Sequence, residues 1–424
     1  MGAHGHDGET VLPMTRIAWV VLVPLAVLTL VGLVVLWPSG APAATERSSA
    51  VEYDGVVLSV SEEACPPTVP DPAAQCGTVS VRIDTPEGSR DVEAPLSGNP
   101  GAPDLEAGDE VVVAAAETPD GFLYGVVDHQ RGTGLVVLLA ALAVALLVFG
   151  RWRGLSALVG LAITFVALFV FIVPAVIGGE SPVLVALVGA SFVTLSVLYL
   201  THGVSLTTTV AVMGTMASLG LTAALSELAV GALRLTGVTD DISTAVATNY
   251  GVDTRGLLVA STIIGSVGVL DDVTVTQAAT VAEVGRANPT YRFTELYGAG
   301  SRVGRSHIAS VVNTIVLAYA GSSLPLLVLV VADNGSLTGA ATTQLISQEV
   351  VRSAVATIGL IAAVPLTTAL AALATRTAPT TTPTAHDDGR SGGPSDTDPT
   401  GPADDRPHPT TRREAREARE ASGH

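Results

Sequence analysis

The segment Gly268–Arg286 reads GVLDDVTVTQAATVAEVGR, and it places reactive side chains where the sequence is otherwise apolar. Two adjacent carboxylates, Asp271 and Asp272, follow the run LLVASTIIGSVGVL, and Thr276, Gln277 and Glu283 come after them. A carboxylate beside hydroxyl and amide groups can hold a cation, carry a proton or act as an acid or base. On a helix, Asp272, Thr276, Ala279 and Glu283 share one face. That sharing assigns the inward, functional position to Asp272 and turns Asp271 toward the headgroups or a neighbouring loop. A second polar group lies in SRVGRSHIASVVNTIVLAYAGSSLP, with Arg302, Arg305 and His307 at its start and Asn313 and Thr314 within it. Ala309, Asn313 and Ala320 fall on one helical face, small enough for close helix approach, with Leu317 between them. Glu349 and Arg352 stand three residues apart and can pair on a helix. Each group also has a structural reading. The Asp pair can end a span at the water interface, the Arg residues can enforce topology, Asn313 can bond helix to helix, and Glu349–Arg352 can be an outer-interface pair.

The elements that must position these residues are membrane spans. The 424-residue chain is 48% hydrophobic and 14% charged, with mean hydropathy +0.51, outside the usual soluble range. Its net charge of −18 excludes a nucleic-acid binder, which needs a basic face. All 21 basic residues are Arg, a composition bias rather than a mechanism. A span needs about 20 apolar residues. Eight stretches qualify or come close: 17–37, 134–150, 155–177, 182–200, 205–225, 257–275, 307–331 and 351–373. With eight spans, Arg16, Arg151, Arg153, Arg286, Arg292, Arg302, Arg305 and the seven Arg of the tail all fall on one side. The positive-inside rule then makes both termini cytoplasmic and 38–131 external. A cleaved signal peptide is the rival for span 1, with Ala41-Pro42-Ala43 as its site, but the apolar core is longer than the roughly 7–15 residues such peptides carry.

Residues 38–131 carry 17 Asp/Glu against 4 Arg, a local charge of −13. GVVLSV, GTVSVRID, RDVEAP, DEVVVAAA and GFLYGVVD are Val-rich and separated by Gly, Pro and Asp, which reads as five strands. Five short strands suggest a small OB-like barrel, with another small β-sandwich as the alternative. Cys65 and Cys76, the only cysteines, sit here, and in an oxidising compartment a disulfide is expected. Residues 1–16 and 376–424 read as disordered tails; the second ends in TRREAREARE, and His4 and His6 in the first are too few for a metal site. Residues 226–256 are too long for a turn, and Leu228–Leu235 reads as a short interfacial or re-entrant helix.

Three blocks, GVLDDVTVTQAATVAEV, VGRSHIASVVNTIVLAYAGSSLPLLVL and EVVRSAVATIGLIAAVPLTTALAA, occur in the order seen in the YibE/F family of bacterial membrane proteins, which this chain resembles from about Arg131 to Thr375. The resemblance matches Asp272 to the family's single Asp, with Asp271 as a variant neighbour. It also matches Asn313, Thr314, Ala318, Tyr319 and Gly321. A Gly-Arg-Asp of the family is GRSH here, from Gly304 to His307, so an acidic residue is missing. The resemblance implies architecture and carries over no activity.

The resulting expectation is an α-helical polytopic protein of the bacterial plasma membrane, with a seven-span domain at 132–375 behind an anchor at 17–37 and the external acidic β-domain. Its leading function is transport of a small solute or ion through a polar site of Asp272, Asp271, Thr276, Gln277, Glu283, Asn313, Thr314 and His307. Arg302, Arg305, Glu349 and Arg352 would be charge partners. The alternative is an envelope assembly protein whose β-domain binds a partner. A third reading is an intramembrane enzyme using the Asp dyad; adjacent helical residues point about 100° apart, which suits no shared proton. No Walker A loop, HExxH, GxGD-like motif or nucleophile elbow is present, so no enzymatic activity is expected. The expected partners are lipid, a small solute or ion and further copies of the chain; no cofactor, metal or nucleic acid is expected.

Overall fold

The computed structural model describes residues 16–38, 51–65, 75–98, 102–119, 121–239, 241–332 and 342–377. The expected tails lie outside the described residues apart from their inner ends, as do Ala41–Ala43, His4, His6 and TRREAREARE.

All five expected strands form: β1 (Val51–Glu63), β2 (Cys76–Thr85), β3 (Gly88–Ser97), β4 (Glu110–Thr118) and β5 (Gly121–His129). They make one antiparallel sheet in the order β3-β2-β1-β4-β5. Period-two alternation drives it, because successive side chains point to opposite faces. Val79, Val81 and Ile83 of β2 are fully buried and pack with Val57, Val111, Val113 and Leu105. Register shifts at Val57/Ser59 in β1 and Val112/Val113 in β4 bend the strands. The sheet curls into a half-barrel. Its edges, β3 and β5, meet through side chains: the Arg90 guanidinium lies 5.3 Å from the Tyr124 ring centre and donates to the Tyr124 hydroxyl. No ladder joins them among the described residues, so the sheet is open along that seam and only the half-barrel part of the expected OB-like barrel is seen. Cys65 and Cys76 form the disulfide, with Cα atoms 5.2 Å apart, where the β1–β2 ladder ends at Glu63 opposite Cys76. Gly77 (φ +127) is required beside it, since a Cβ would lie 2.0 Å from the Ser61 carbonyl oxygen. On the exposed side Arg82 bonds Asp91 at 2.8 Å, and this hydrogen bond holds the Asp91 carboxyl below its ordinary range.

The remainder is helical: α1 (Arg16–Val35), α2 (Gly132–Val166) continuing through a π-helical turn at Ala167–Ile172 into α3 (Val173–Ile177), α4 (Pro182–His202), α5 (Leu206–Ala232), α6 (Asp241–Tyr250), α7 (Thr254–Ala287), α8 (Phe293–Ser322), α9 (Leu324–Ala332) and α10 (Gln344–Thr377). Five stretches among the described residues are long and apolar enough to cross a membrane: Gly132–Ile177, Pro182–His202, Leu206–Ala232, Thr254–Ala287 and Gln344–Thr375. The sequence led us to expect eight. The first of the five, at 46 residues, joins two expected spans. A straight helix of that length would reach about 69 Å, more than twice the hydrocarbon core. Arg151 (φ 51, ψ −124) breaks it, and a Cβ on Gly154 would lie 2.0 Å from the Leu146 carbonyl oxygen, so the chain doubles back there. The segment 228–235 is the end of α5 and the turn after it, not a separate interfacial helix. The short helix of this region is α6, none of whose side chains is fully buried.

In the bundle, α7 packs against α4, α5, α8 and α10. Helices α5 and α10 interlock through glycine. A Cβ on Gly214 of α5 would lie 2.2 Å from Thr367 Oγ1, and one on Gly359 of α10 would lie 2.0 Å from Thr222 Oγ1. Each helix thus seats a threonine in the other's glycine notch, the close approach that small residues permit.

Candidate functional site

Helix α7 runs unbroken past the Asp pair, so Asp271 and Asp272 lie near its middle rather than at its end. Its wall is built by α4 and α5. Thr194 of α4 donates to the Asp271 carboxylate, at 3.2 Å to Oδ1 and 3.4 Å to Oδ2. Thr215 of α5 faces the same carboxyl group and shares a 2.7 Å hydrogen bond with Thr274 Oγ1. Thr274 also donates to the Asp271 carbonyl at 3.2 Å, one turn back along α7. All three hydroxyl residues are fully buried, and Asp271 is partly buried.

Depth follows from helix geometry. Thr194 lies eight residues before the end of α4 and Thr215 nine after the start of α5. At 1.5 Å per residue the cluster sits about 12–13 Å in from the α4–α5 turn. Helix α4 itself, at about 31 Å, matches the hydrocarbon thickness of about 30 Å. A carboxylate at that depth is costly unless partnered, and the hydroxyls of Thr194 and Thr215 partner it, with Thr274 behind Thr215. The donor set is all oxygen: one carboxylate, three hydroxyls and a carbonyl. Oxygen ligands suit a proton or a hard cation and offer nothing to a soft metal. No group of three His, Cys, Asp or Glu residues is placed to hold a metal among the described residues.

The expected inward face is the outward one. Asp272, Thr276, Ala279 and Glu283 do share a face, but all four are exposed. Glu283 pairs with Arg286 on that surface. The rotation is one residue, about 100°, from the expected orientation. The choice of Asp272 over Asp271 as the inward residue is therefore corrected. What turns Asp271 inward is Thr194 and Thr215, 77 and 56 positions away in the chain, and nothing local announces them. Asn313, Thr314, Arg302 and Arg305 are likewise exposed on α8, and His307 is half-buried. Thr314 bonds only back to the Ser310 carbonyl. The expected meeting of the Asp272 and Asn313 faces inside the bundle does not occur.

Gln277 is buried as expected but in a different company. Its Nε2 donates to the Gly300 carbonyl of α8 at 2.9 Å and to Thr368 Oγ1 of α10 at 2.7 Å. It ties three helices together and leaves no group free for a ligand at that nitrogen. Gly304 makes room for it, since a Cβ there would lie 2.9 Å from the Gln277 Oε1. Glu349 and Arg352 form the expected pair at 2.6 Å, half-buried at the start of α10. The two carboxylates of the Asp pair face different ways and share no proton, which leaves the intramembrane-enzyme reading without a dyad.

Among known proteins, a family model described as YibE/F-like protein matches residues 138–377, more than half of the chain. No curated protein and no solved structure matches it.

Proposed function

The chain belongs to the family of YibE/F-like proteins, and from that premise we propose that it transports a small solute or ion across the bacterial plasma membrane, with Asp271 as the site of a coupling proton or cation. The observation that carries this reading is the Asp271 carboxylate, held by Thr194 at 3.2 Å inside a bundle of membrane-length helices. Ionisable groups at such depth mark ion or proton pathways by default. In this reading Thr194, Thr215 and Thr274 replace the water around a dehydrated cation or proton. Asp272, Thr276, Glu283, Asn313, Thr314 and His307 lie outside that first ring and belong to surfaces in contact with lipid, water or a further copy.

The topology of the proposal has eight spans. Helix α1, the two arms of Gly132–Ile177 on either side of Arg151, α4, α5, α7, α8 with α9, and α10 supply them. The Arg bias then sets both termini in the cytoplasm and the sheet outside. The proposal reads the order β3-β2-β1-β4-β5 as an OB-type barrel opened between β3 and β5. A single free thiol at Glu87→Cys, an exposed turn position, tests the sidedness, because both native cysteines are in the disulfide. Labelling by an impermeant maleimide in intact cells is expected; labelling only after permeabilisation would invert the topology.

The test of function is flux into proteoliposomes under imposed proton and sodium gradients with a panel of small solutes. Gradient-dependent uptake that Asp271→Asn removes, in protein that inserts at normal abundance, is expected. Wild-type flux at the level of empty liposomes across the panel would defeat it. The assembly reading has one observation in its favour: β5 exposes Phe122, Leu123 and Val127. An edge strand with that surface can dock a partner by strand addition. Envelope crosslinks at β5, with flux absent, would favour it.

A further inference from the structure

A second feature lies across α7 from Asp271. Between α7, α8 and α10 is a cavity of about 280 Å³ lined chiefly by apolar side chains, among them Gly265, Val269, Ile315, Tyr319, Ala356 and Leu360. The Tyr319 hydroxyl is buried there and has no hydrogen-bond partner among the described residues. Gly265 is what admits the ring: a Cβ at that position would lie 2.8 Å from the hydroxyl oxygen. Two more orphaned polar atoms lie on α10, four and seven residues before Ala356. Glu349 Oε2 and Arg352 Nε are buried without partners, although the two side chains pair through their other atoms. Glu349, Arg352, Ala356 and Leu360 recur at helical spacing, so the charged pair continues the α10 face that lines the cavity. A buried polar atom left unmade costs about 1–3 kcal/mol. One of them inside the cavity, and two more on the α10 face that continues from its lining, form a pattern that a ligand would complete.

We propose that this cavity binds an uncharged amphiphile with a hydroxyl head and an apolar body of roughly a dozen heavy atoms. The size follows from the volume, about twice the ~150 Å³ apolar cavity that takes a benzene. The head follows from the orphans. Arg352 Nε can only donate, Glu349 Oε2 accepts, and the Tyr319 hydroxyl does either. A hydroxyl both donates and accepts, so it suits the Tyr319 hydroxyl and either charged neighbour. A carboxylate head would meet Glu349 as a like charge, and an ammonium head would meet Arg352 as one. This site is independent of the Asp271 proposal, because the two occupy opposite faces of α7.

The probe is 1-decanol carrying a chain diazirine, applied to the full-length protein in liposomes, with labelled peptides identified by mass spectrometry. Label is expected to concentrate on Gly265–Leu270 and Ile315–Ser322, to be displaced by 1-decanol and to resist decane and decanoate. Tyr319→Phe keeps the ring and should weaken displacement about three- to tenfold, the effect of one hydrogen bond. Ala318→Phe fills the cavity from an exposed position and should abolish displaceable labelling. Label spread evenly over the lipid-facing helices, displacement by decane equal to that by decanol, or indifference to both substitutions would each overturn the proposal. The first of these outcomes would mean that lipid acyl chains fill the space.

Discussion

The two faces of α7 carry much the same residue types to opposite ends. On the inward face stand Asp271, Thr274, Gln277 and Gly285; on the outward face stand Gly268, Asp272, Thr276, Ala279 and Glu283. Inward, three polar side chains meet other helices: Asp271 meets α4, Thr274 meets α5, and Gln277 meets α8 and α10. Outward, Glu283 meets only Arg286 of its own helix. The difference teaches that polarity within a span does not by itself point toward the core. What marks the interior face is polarity that other helices answer.

Substitutions at matched positions can break or sharpen this contrast. The largest expected effect is on flux. Asp271→Asn should lower it on the order of a hundredfold, the factor that about 2.7 kcal/mol represents, while Asp272→Asn should change it less than about twofold, or under ~0.4 kcal/mol. Equal losses in liposomes loaded with equal protein would erase the distinction between the faces. Next come the glycine notches that hold the inward wall. Gly359→Ala should destabilise by about 1–3 kcal/mol, because overpacking displaces a well-packed neighbour; here that neighbour is Thr222, 2.0 Å from the new methyl. Thermal unfolding of the solubilised protein would register it, and an unchanged midpoint would mean that the α5–α10 contact is looser than described. Gln277→Leu removes two interhelical hydrogen bonds and should cost about 1–2 kcal/mol by the same measurement, near the upper end for such bonds in membranes. The smallest effect belongs to the outward side. Asn313→Ala should lie within about 0.5 kcal/mol of wild type, as surface substitutions do; a larger cost would show that something covers α8.

The sheet was legible almost strand for strand, because one face is wet and one dry, and the alternation of Val79, Val81 and Ile83 with polar residues states which is which. The disulfide was legible from two cysteines flanking one hairpin. The five membrane-length helices were legible from their apolar length, but their rotation was not. A helix in lipid can be apolar on every side, so the contrast that orients a soluble helix is absent. The grouping of Asp272 with Thr276 and Glu283 was a correct statement about periodicity and an incorrect one about direction. Thr194 and Thr215 are single hydroxyls within apolar runs, and only the packing of α4 and α5 reveals that they converge on Asp271. The open β3–β5 seam was also out of reach, since whether two edges zip depends on curvature accumulated over all five strands.

The paired notches between α5 and α10 have a mechanical consequence. Gly214 faces Thr367 and Gly359 faces Thr222, so the antiparallel helices are keyed at two heights. A one-turn slide, the ~5.4 Å step by which some helices ratchet past each other, would carry each threonine out of its notch and against a residue with a side chain. The pair therefore behaves as a single rigid post. In the proposed transport, a stroke that opens the protein to one side and then the other has to be taken up along other seams, and the one crossed by the Thr194–Asp271 hydrogen bond runs between that post's neighbour α7 and the helix α4.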